Sequence, residues 1–320
     1  MYAFSAPLPN LFCNKISYQA KRRSNNYSTA KISKHTGQHS SPEMKKNTGS
    51  ANGFVSKSSL LGRGDNDNTV GIIGGVSVFS TLIFLEKLVW WSSRHGNECV
   101  PFIVCSDPAL SREFPCHKVI SSLPGRNDQH DLVNGVIIEN LRRKREFLER
   151  SGARCIVMPC HLSHSWYAEI SQGCSLPFLH LGDCVSIELK AANLKPLEAG
   201  NKIRIGLISE YETMKAGFYQ EKLQNQGFEV VLPDKATMEH IVLPAIMALN
   251  RKDIEGGQNL LRIAINILLM RGVNMVVIAS DKLQGLLPSD DPLAKKCIDP
   301  SDALARCTIS WAQSVEKVLK

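Results

Sequence analysis

The ten cysteines include no Cys-x-x-Cys pair. Zinc-ribbon and dithiol redox spacings are therefore absent. Several cysteines sit in apolar runs, where the residue acts as a small hydrophobe, so a reducing compartment fits better than a disulfide scaffold. A membrane-spanning run is also missing. The longest apolar stretch, Val76–Trp91, is interrupted by Glu86 and Lys87, which leaves it too short and too charged to cross a bilayer. Acidic residues are nearly absent from one end: residues 1–64 hold ten Lys/Arg and a single acid, Glu43. Positions 65–320 hold 28 basic against 29 acidic residues. The formal charge of +8 thus belongs to the N-terminal segment, and it is no footprint of nucleic-acid binding.

That segment lacks the apolar core of a secretory signal and is rich in Ser, Asn, Lys and Arg. Residues 1–67 read as an organellar transit peptide. Serine dominance and weak amphipathic periodicity favour the chloroplast over the mitochondrion. A plain disordered tail on a cytoplasmic protein is the alternative.

What is present is a body able to bury a core, with 43% hydrophobic and 21% charged residues in the chain. Thr69–Ile73 reads as a buried strand, Val78–Trp90 as a helix stopped by Gly96, and Val100–Cys105 as the next strand. Leu132–Arg150 has helical periodicity, with Glu139–Arg143 and Glu146–Arg150 as i,i+4 pairs. Within it, Arg142–Arg145 reads as a solvated basic face. Cys155–Met158 is a strand ending at Cys160. The second half repeats the alternation: strands at Ile203–Ile208, Glu229–Leu232 and Met275–Ala279, and helices at Met214–Gln226, Met238–Leu249 and Gln258–Arg271. Alternating strands and helices predict parallel sheets covered by helices. The expected fold is α/β, with two pseudo-symmetric domains, each a small, mostly parallel sheet flanked by helices. The first covers 68–183, with the C-terminal helix 301–320 packing back on it, and the second covers 184–300.

A short internal repeat supports the symmetry. Gly152–Cys160 and Gly272–Ser280 each run from a helix-capping glycine through an apolar strand to a small nucleophilic side chain, over the same eight-residue interval. Open α/β sheets bind ligands at the carboxyl ends of their strands, so an interdomain cleft with Cys160 on one side and Ser280 on the other is expected.

Five segments carry a resemblance to a known family. Met158-Pro-Cys-His-Leu-Ser-His164 is similar to Met-Pro-Cys-Asn-Thr-Ala-His, and Gly71–Thr81 to Gly-x-x-Gly-Gly-Met-Gly-Pro-x-Ala-Thr. Ile205–Thr213 is similar to Ile-Gly-Leu-Leu-Ala-Thr-x-Gly-Thr, Ala279–Leu283 to Gly-Cys-Thr-Glu-Leu, and Ile298-Asp299-Pro300 to a closing Ile-Asp-Pro. In this order the segments resemble the aspartate/glutamate racemase superfamily. The resemblance implies stereoinversion without pyridoxal phosphate or any other cofactor or metal. Two thiols flank the α-carbon of a small carboxylate or amino-acid substrate; one removes the α-proton and the other returns a proton to the opposite face. Cysteine suits this work because its pKa lies near neutrality. A homodimer is a further implication; a nucleic-acid or membrane partner is not.

Carried onto this chain, the resemblance makes Cys160 and Ser280 the catalytic pair, with serine in place of the second thiol. Ser77, Thr81, Arg112, His161, Ser163, His164, Thr213 and Arg251 fall at or near the substrate-binding positions. Departures stand at Ser77-Val78 for Gly-Pro, His161 for Asn, Leu162 for Thr and Glu210 for the first Thr of its turn. Plainer readings compete: a buried structural thiol for Cys160, a helix cap for His164, and an N-cap for Ser280 with Asp281 favouring the helix dipole. The expected function is a cofactor-independent racemase or isomerase of acidic amino acids or related small carboxylates. The alternatives are a one-thiol decarboxylase or isomerase of a small dicarboxylate, or a non-catalytic carboxylate-binding protein.

Overall fold

The structure, a computed structural model, describes residues 68–94, 99–113, 127–198 and 200–319. The leader 1–67 and the expected stop at Gly96 lie outside the described residues.

The first half is built from strands β1 (Val70–Ile73), β2 (Phe102–Cys105), β3 (Cys155–Val157) and β4 (Phe178–Leu179), all parallel, in the order β2-β1-β3-β4. Helices α1 (Val78–Arg94), α2 (Pro108–Glu113), α3 (Asn127–Arg150), α4 (Tyr167–Ser171) and α5 (Leu181–Ala191) accompany them. The second half has β5 (Arg204–Ser209), β6 (Glu229–Val231), β7 (Met275–Ala279) and β8 (Cys297–Ile298), again all parallel, in the order β6-β5-β7-β8. Its helices are α6 (Tyr211–Ala216), α7 (Phe218–Asn225), α8 (Lys235–Thr237), α9 (Leu243–Asn250) and α10 (Ile254–Met270), followed by α11 (Pro300–Leu319). Two four-stranded parallel sheets flanked by helices, with one strand order repeated, make this an α/β fold. Among the described helices none is long and apolar enough to cross a membrane.

Side-chain alternation sets the layers. Val70 and Ile72 of β1, and Ile205 and Leu207 of β5, join one central core with α1, α5, α7 and α11. On the opposite faces, Ile73 packs with Leu141 and Leu148 of α3, while Ile208 packs with Leu261 and Leu268 of α10. Each fully buried Leu or Ile contributes roughly 1.5–3 kcal/mol over an exposed one. Gly71 and Gly206 occupy matching strand positions beneath α3 and α10, where a side chain would meet Leu148 and Leu268 respectively.

Four expectations need correction. The helix read as continuous over Met214–Gln226 is divided, because Gly217 takes a left-handed conformation (φ 74°) between α6 and α7. Between α8 and α9 the helix widens to a π turn over Met238–Val242. Pro244 has no N–H to give the His240 carbonyl, which accounts for the wider turn. The basic run is only half a solvated face: Arg143 is exposed and Arg142 partly so. Lys144 and Arg145 are 5% and 4% exposed, and Lys144 lies on the buried side with Ile137, Leu141 and Leu148, at helical spacing. Of the paired charges, Glu139–Arg143 forms at 2.8 Å, but Arg150 donates instead to the Glu146 carbonyl.

Candidate active site

The carboxyl ends of the two sheets meet. Gly71 pairs with Ile156 across β1–β3, and Gly206 with Val276 across β5–β7. Four residues further on, Gly75 stands beside Cys160 in one half, and Glu210 beside Ser280 in the other. The Ser80 hydroxyl at the start of α1 donates to Asp281 Oδ2, which follows Ser280. His161 reaches the second half twice, with Nδ1 2.9 Å from the Tyr219 hydroxyl and Nε2 3.5 Å from Asp281 Oδ1. Lys87 of α1 pairs with Asp299, and with Asp302 at 3.1 Å, at the start of α11. Its pKa is raised because these two carboxylates outweigh the burial that would lower it.

Cys160 is fully buried. The Ser77 N–H donates to its sulfur at 3.4 Å. Ser163 also hydrogen-bonds the thiol, and its Oγ accepts from the Val76 N–H at 3.1 Å. A Cβ on Gly75 would lie 2.3 Å from Cys160 Cβ and 2.4 Å from Ser163 Oγ, so the β1–α1 turn fits only with glycine there. Lys144 Nζ donates to the Gly74 carbonyl at 2.8 Å and fixes the same turn. Burial pushes the Cys160 pKa up and Asp281 adds to it, against the hydrogen bonds from Ser163 and Ser77. Burial in turn lowers the Lys144 pKa, opposed by Asp107, Cys105 and Cys160.

Across the cleft Ser280, also fully buried, donates from Oγ to Glu210 Oε1 at 2.7 Å. It accepts from the Leu283 N–H at 3.4 Å, so its N-cap geometry and its bond to Glu210 coexist. Burial and the neighbouring Asp281 raise the Glu210 pKa, while Ser280 acts against them. Burial pushes Asp281 up to about 6, opposed by the hydroxyls of Ser80 and Ser77. His161 is held below its ordinary value, first by burial, with Glu210 and Asp299 pulling the other way. Tyr219 is raised well above its own by burial; when its hydroxyl donates to Nδ1, the imidazole proton sits on Nε2. Among the described residues His161 Nε2 and Asp281 Oδ1 have no hydrogen-bond partner. These two atoms face each other at 3.5 Å, and Gln284 is a further hydrogen-bonding neighbour of His161.

The remaining residues picked from sequence divide. Thr81 is buried on α1, with its hydroxyl unpartnered among the described residues. Thr213 is buried in the first turn of α6. His164 is buried, donates from Nε2–H to the Met158 carbonyl at 2.8 Å, and packs among Tyr167, His180 and Phe218. Burial and His180 hold its pKa well below the ordinary value. Arg251 is exposed at the C-terminus of α9 and shares no hydrogen bond or ion pair with the described residues around Cys160. Arg112 belongs to α2, and its side chain lies outside the described residues. Sequence reasoning missed Lys144, Tyr219 and the Glu210–Ser280 contact. The i,i+4 and i,i+3 spacing of Lys144 from buried α3 residues was a usable signal. No local signal links positions 210 and 280.

A family model for Asp/Glu/hydantoin racemases matches residues 73–308. The broad specificity amino-acid racemase RacX of Bacillus subtilis (strain 168) is 26% identical over 170 residues, covering 52% of this chain. That match spans 64% of the relative's length. Among solved structures, an aspartate racemase homologue from Pyrococcus horikoshii OT3 aligns with a TM-score of 0.61 at 20% identity. It covers 77% of this chain and 99% of its own. The Picrophilus torridus aspartate racemase aligns with a TM-score of 0.56 at 23% identity, covering 77% and 94%. Both share the fold.

Proposed function

The chain belongs to the Asp/Glu/hydantoin racemase family, and from that membership we propose that it is a racemase-type isomerase of amino acids or closely related small carboxylates. It works without pyridoxal phosphate. Cys160 serves one face of the α-carbon and Ser280 the other. The observation that carries this reading is positional: Cys160 and Ser280 follow equivalent strands at equivalent register, on two sheets whose carboxyl ends meet. Two groups are needed because one side chain cannot remove a proton from one face and return it to the opposite one.

The open polar atoms suggest how a zwitterion would sit. A zwitterion entering between His161 Nε2 and Asp281 Oδ1, 3.5 Å apart, would set its carboxylate on the first and its ammonium on the second. With Glu210 and Asp281 in the site and Lys144 as its buried cation, an amino acid with one carboxylate matches the described charges better than an acidic one. Substrate panels should therefore contain both classes. Cys160 has a raised pKa, so its thiolate fraction depends on substrate binding and on the hydrogen bonds from Ser77 and Ser163.

The test is α-proton exchange in heavy water with chiral analysis of the product. A racemase labels substrate and inverts it. A one-thiol enzyme labels it with retention or converts a dicarboxylate, and a binding protein labels nothing. Absence of label from every amino acid in the panel would remove the racemase reading.

A further inference from the structure

We propose that Glu210 and Ser280 act as one acid–base unit on the face opposite Cys160, with the Ser280 hydroxyl relaying a proton between the α-carbon and the Glu210 carboxylate. The inference rests on the racemase-type reading of this site and names how its second face works.

The two halves share a register but solve the same problem differently. Beside Cys160 the matching position is Gly75, and any side chain there would collide with the thiol-bearing residue. A thiol is intrinsically far more acidic than a hydroxyl, so hydrogen bonds from the Ser77 N–H and Ser163 serve in place of a carboxylate partner against the burial that raises it. Beside Ser280 the matching position is Glu210, whose Oε1 accepts the serine hydroxyl at 2.7 Å. An isolated serine is a poor acid and a poor base, and it becomes useful when an adjacent group takes or supplies its proton. Glu210 is that group. Its surroundings keep it closer to neutrality than a free carboxylate. It faces Asp281 and Ser280 from the loop after β7 and His161 from the turn after β3. Tyr219 of α7 and Glu212 of its own helix are the other titratable neighbours.

The step balances. The α C–H bond breaks, and its proton joins Ser280 Oγ as the proton already on Oγ passes to Glu210 Oε1. The electron pair stays on the α-carbon. Cys160 then gives its S–H proton to the opposite face and is left as thiolate. The net transfer is one proton from Cys160 to Glu210, and the reverse reaction retraces it. Two forms of the site alternate: one with a Cys160 thiol and a Glu210 carboxylate that accepts from Ser280 Oγ, and the one left after that turnover, with a Cys160 thiolate and a protonated Glu210. Asp281 and Lys144 are the charged neighbours of that thiol. The first form takes the α-proton through Ser280, and the second takes it at Cys160.

A double-mutant cycle in the full-length chain tests this. The four proteins are wild type, Glu210→Gln, Ser280→Cys and the double variant, assayed for α-deuteration and inversion of an amino acid that wild type exchanges. Glu210→Gln should lower inversion by about a hundredfold or more. In the Ser280→Cys background the same change should cost less than about threefold, because a thiol titrates by itself. The acid limb of the pH–rate profile should also move to higher pH in Ser280→Cys, as a carboxyl gives way to a thiol. Equal losses in both backgrounds would make Glu210 structural or substrate-binding and would overturn the relay. No loss in either would do the same. Wild type that exchanges no α-proton would overturn the racemase reading itself, an outcome distinct from an additive cycle. Because Glu210→Gln could disturb folding, infrared titration of isotopically labelled Glu in wild type and Ser280→Ala supplies a second readout. The Glu210 carboxyl should titrate above the ordinary range, and higher still once the Ser280 hydroxyl is gone. An unmoved titration would remove the pairing.

Discussion

In the first half, the position beside the strand-end nucleophile is Gly75, and the nucleophile is held by a neutral cradle of the Ser77 N–H and Ser163. In the second half, the same register position is Glu210, and the nucleophile sits among carboxylates, bonded to Glu210 and followed by Asp281. One fold repeated twice thus gives two different microenvironments. The first excludes side chains around a group that titrates alone, and the second adds them around a group that does not. The difference teaches that pseudo-symmetry of the backbone fixes where the two reacting groups stand, while the neighbouring residue decides what each can do.

The largest effect should come from removing the group that works alone. Cys160→Ala should lower inversion, and exchange of the enantiomer whose α-proton faces Cys160, by roughly 10²–10⁴-fold, with little change in stability, since the turn around it is held by Gly74, Ser163 and Lys144. Ser280→Ala should retain exchange with retention of configuration at the Cys160 face. Deuterium incorporation followed enantiomer by enantiomer checks both. Equal residual exchange in the two variants would erase the asymmetry drawn here.

The asymmetry of space is the next target. Gly75→Ala forces a Cβ to 2.3 Å from Cys160 Cβ, and both atoms are fixed directly to backbone. Overpacking of this kind costs about 1–3 kcal/mol, or more where nothing can give. Glu210→Ala at the equivalent position creates no clash. It strands the Ser280 hydroxyl at a cost of about 1 kcal/mol. Urea unfolding of the two variants side by side should rank them in that order.

Much of this arrangement was legible in the sequence. Periodicity gave the alternating strands and helices, and the Gly152–Cys160 and Gly272–Ser280 spacing located the strand-end pair, because a helix-capping glycine and a buried strand leave local marks. Lys144 was legible in principle, three and four residues from Leu141 and Leu148, but a run of four basic residues reads as surface when taken as composition. Glu210 and Ser280 were each visible as departures from the family pattern. Their contact was not visible, since it depends on two strands lying side by side in a particular register, which no local pattern encodes. The His161–Tyr219 bond joins two halves of the chain and was hidden for the same reason.

The carboxylates of the second half should also leave a mark on stability. Asp281 titrates near 6 in the folded protein against a starting value of 3.8. Between those values the folded state binds more protons than the unfolded one, so stability falls as pH rises through the window and stays lowered above it. Asp281→Asn removes that slope. The stability of wild type relative to this variant should decline by roughly 2–3 kcal/mol from about pH 4 to about pH 7. Denaturant unfolding at a series of pH values measures the difference, and parallel curves for the two proteins would mean that Asp281 is not shifted by its surroundings.

The smallest expected effect compares the sheets where they meet their outer helices. Gly71 and Gly206 occupy matching positions in β1 and β5, and a Cβ would crowd both, though not equally. At Gly71 it would lie 2.9 Å from Ala153 Cβ and from Ile156 Cδ1, and 3.1 Å from Leu148 Cβ. Two of those atoms are bonded directly to backbone, so relief requires α3 to move off the sheet. That helix carries Lys144, whose bond to the Gly74 carbonyl holds the turn beside Cys160. At Gly206 the contacts are 3.0 Å to Leu268 Cδ1, 3.3 Å to Val276 Cγ2 and 3.4 Å to Leu268 Cβ. The tightest of these is the end of a side chain that can rotate. Both substitutions gain about 0.4–1 kcal/mol by restricting the unfolded chain. Gly71→Ala should therefore be destabilising by about 1–3 kcal/mol, and Gly206→Ala should stay within about 1 kcal/mol of wild type. Gly71→Ala should also slow exchange at Cys160 through the shifted turn, while Gly206→Ala leaves it alone. Equal stability losses would mean that the two outer helices yield alike. The tighter seating of the Cys160 half would then be confined to the Gly75 turn and would not extend through its sheet.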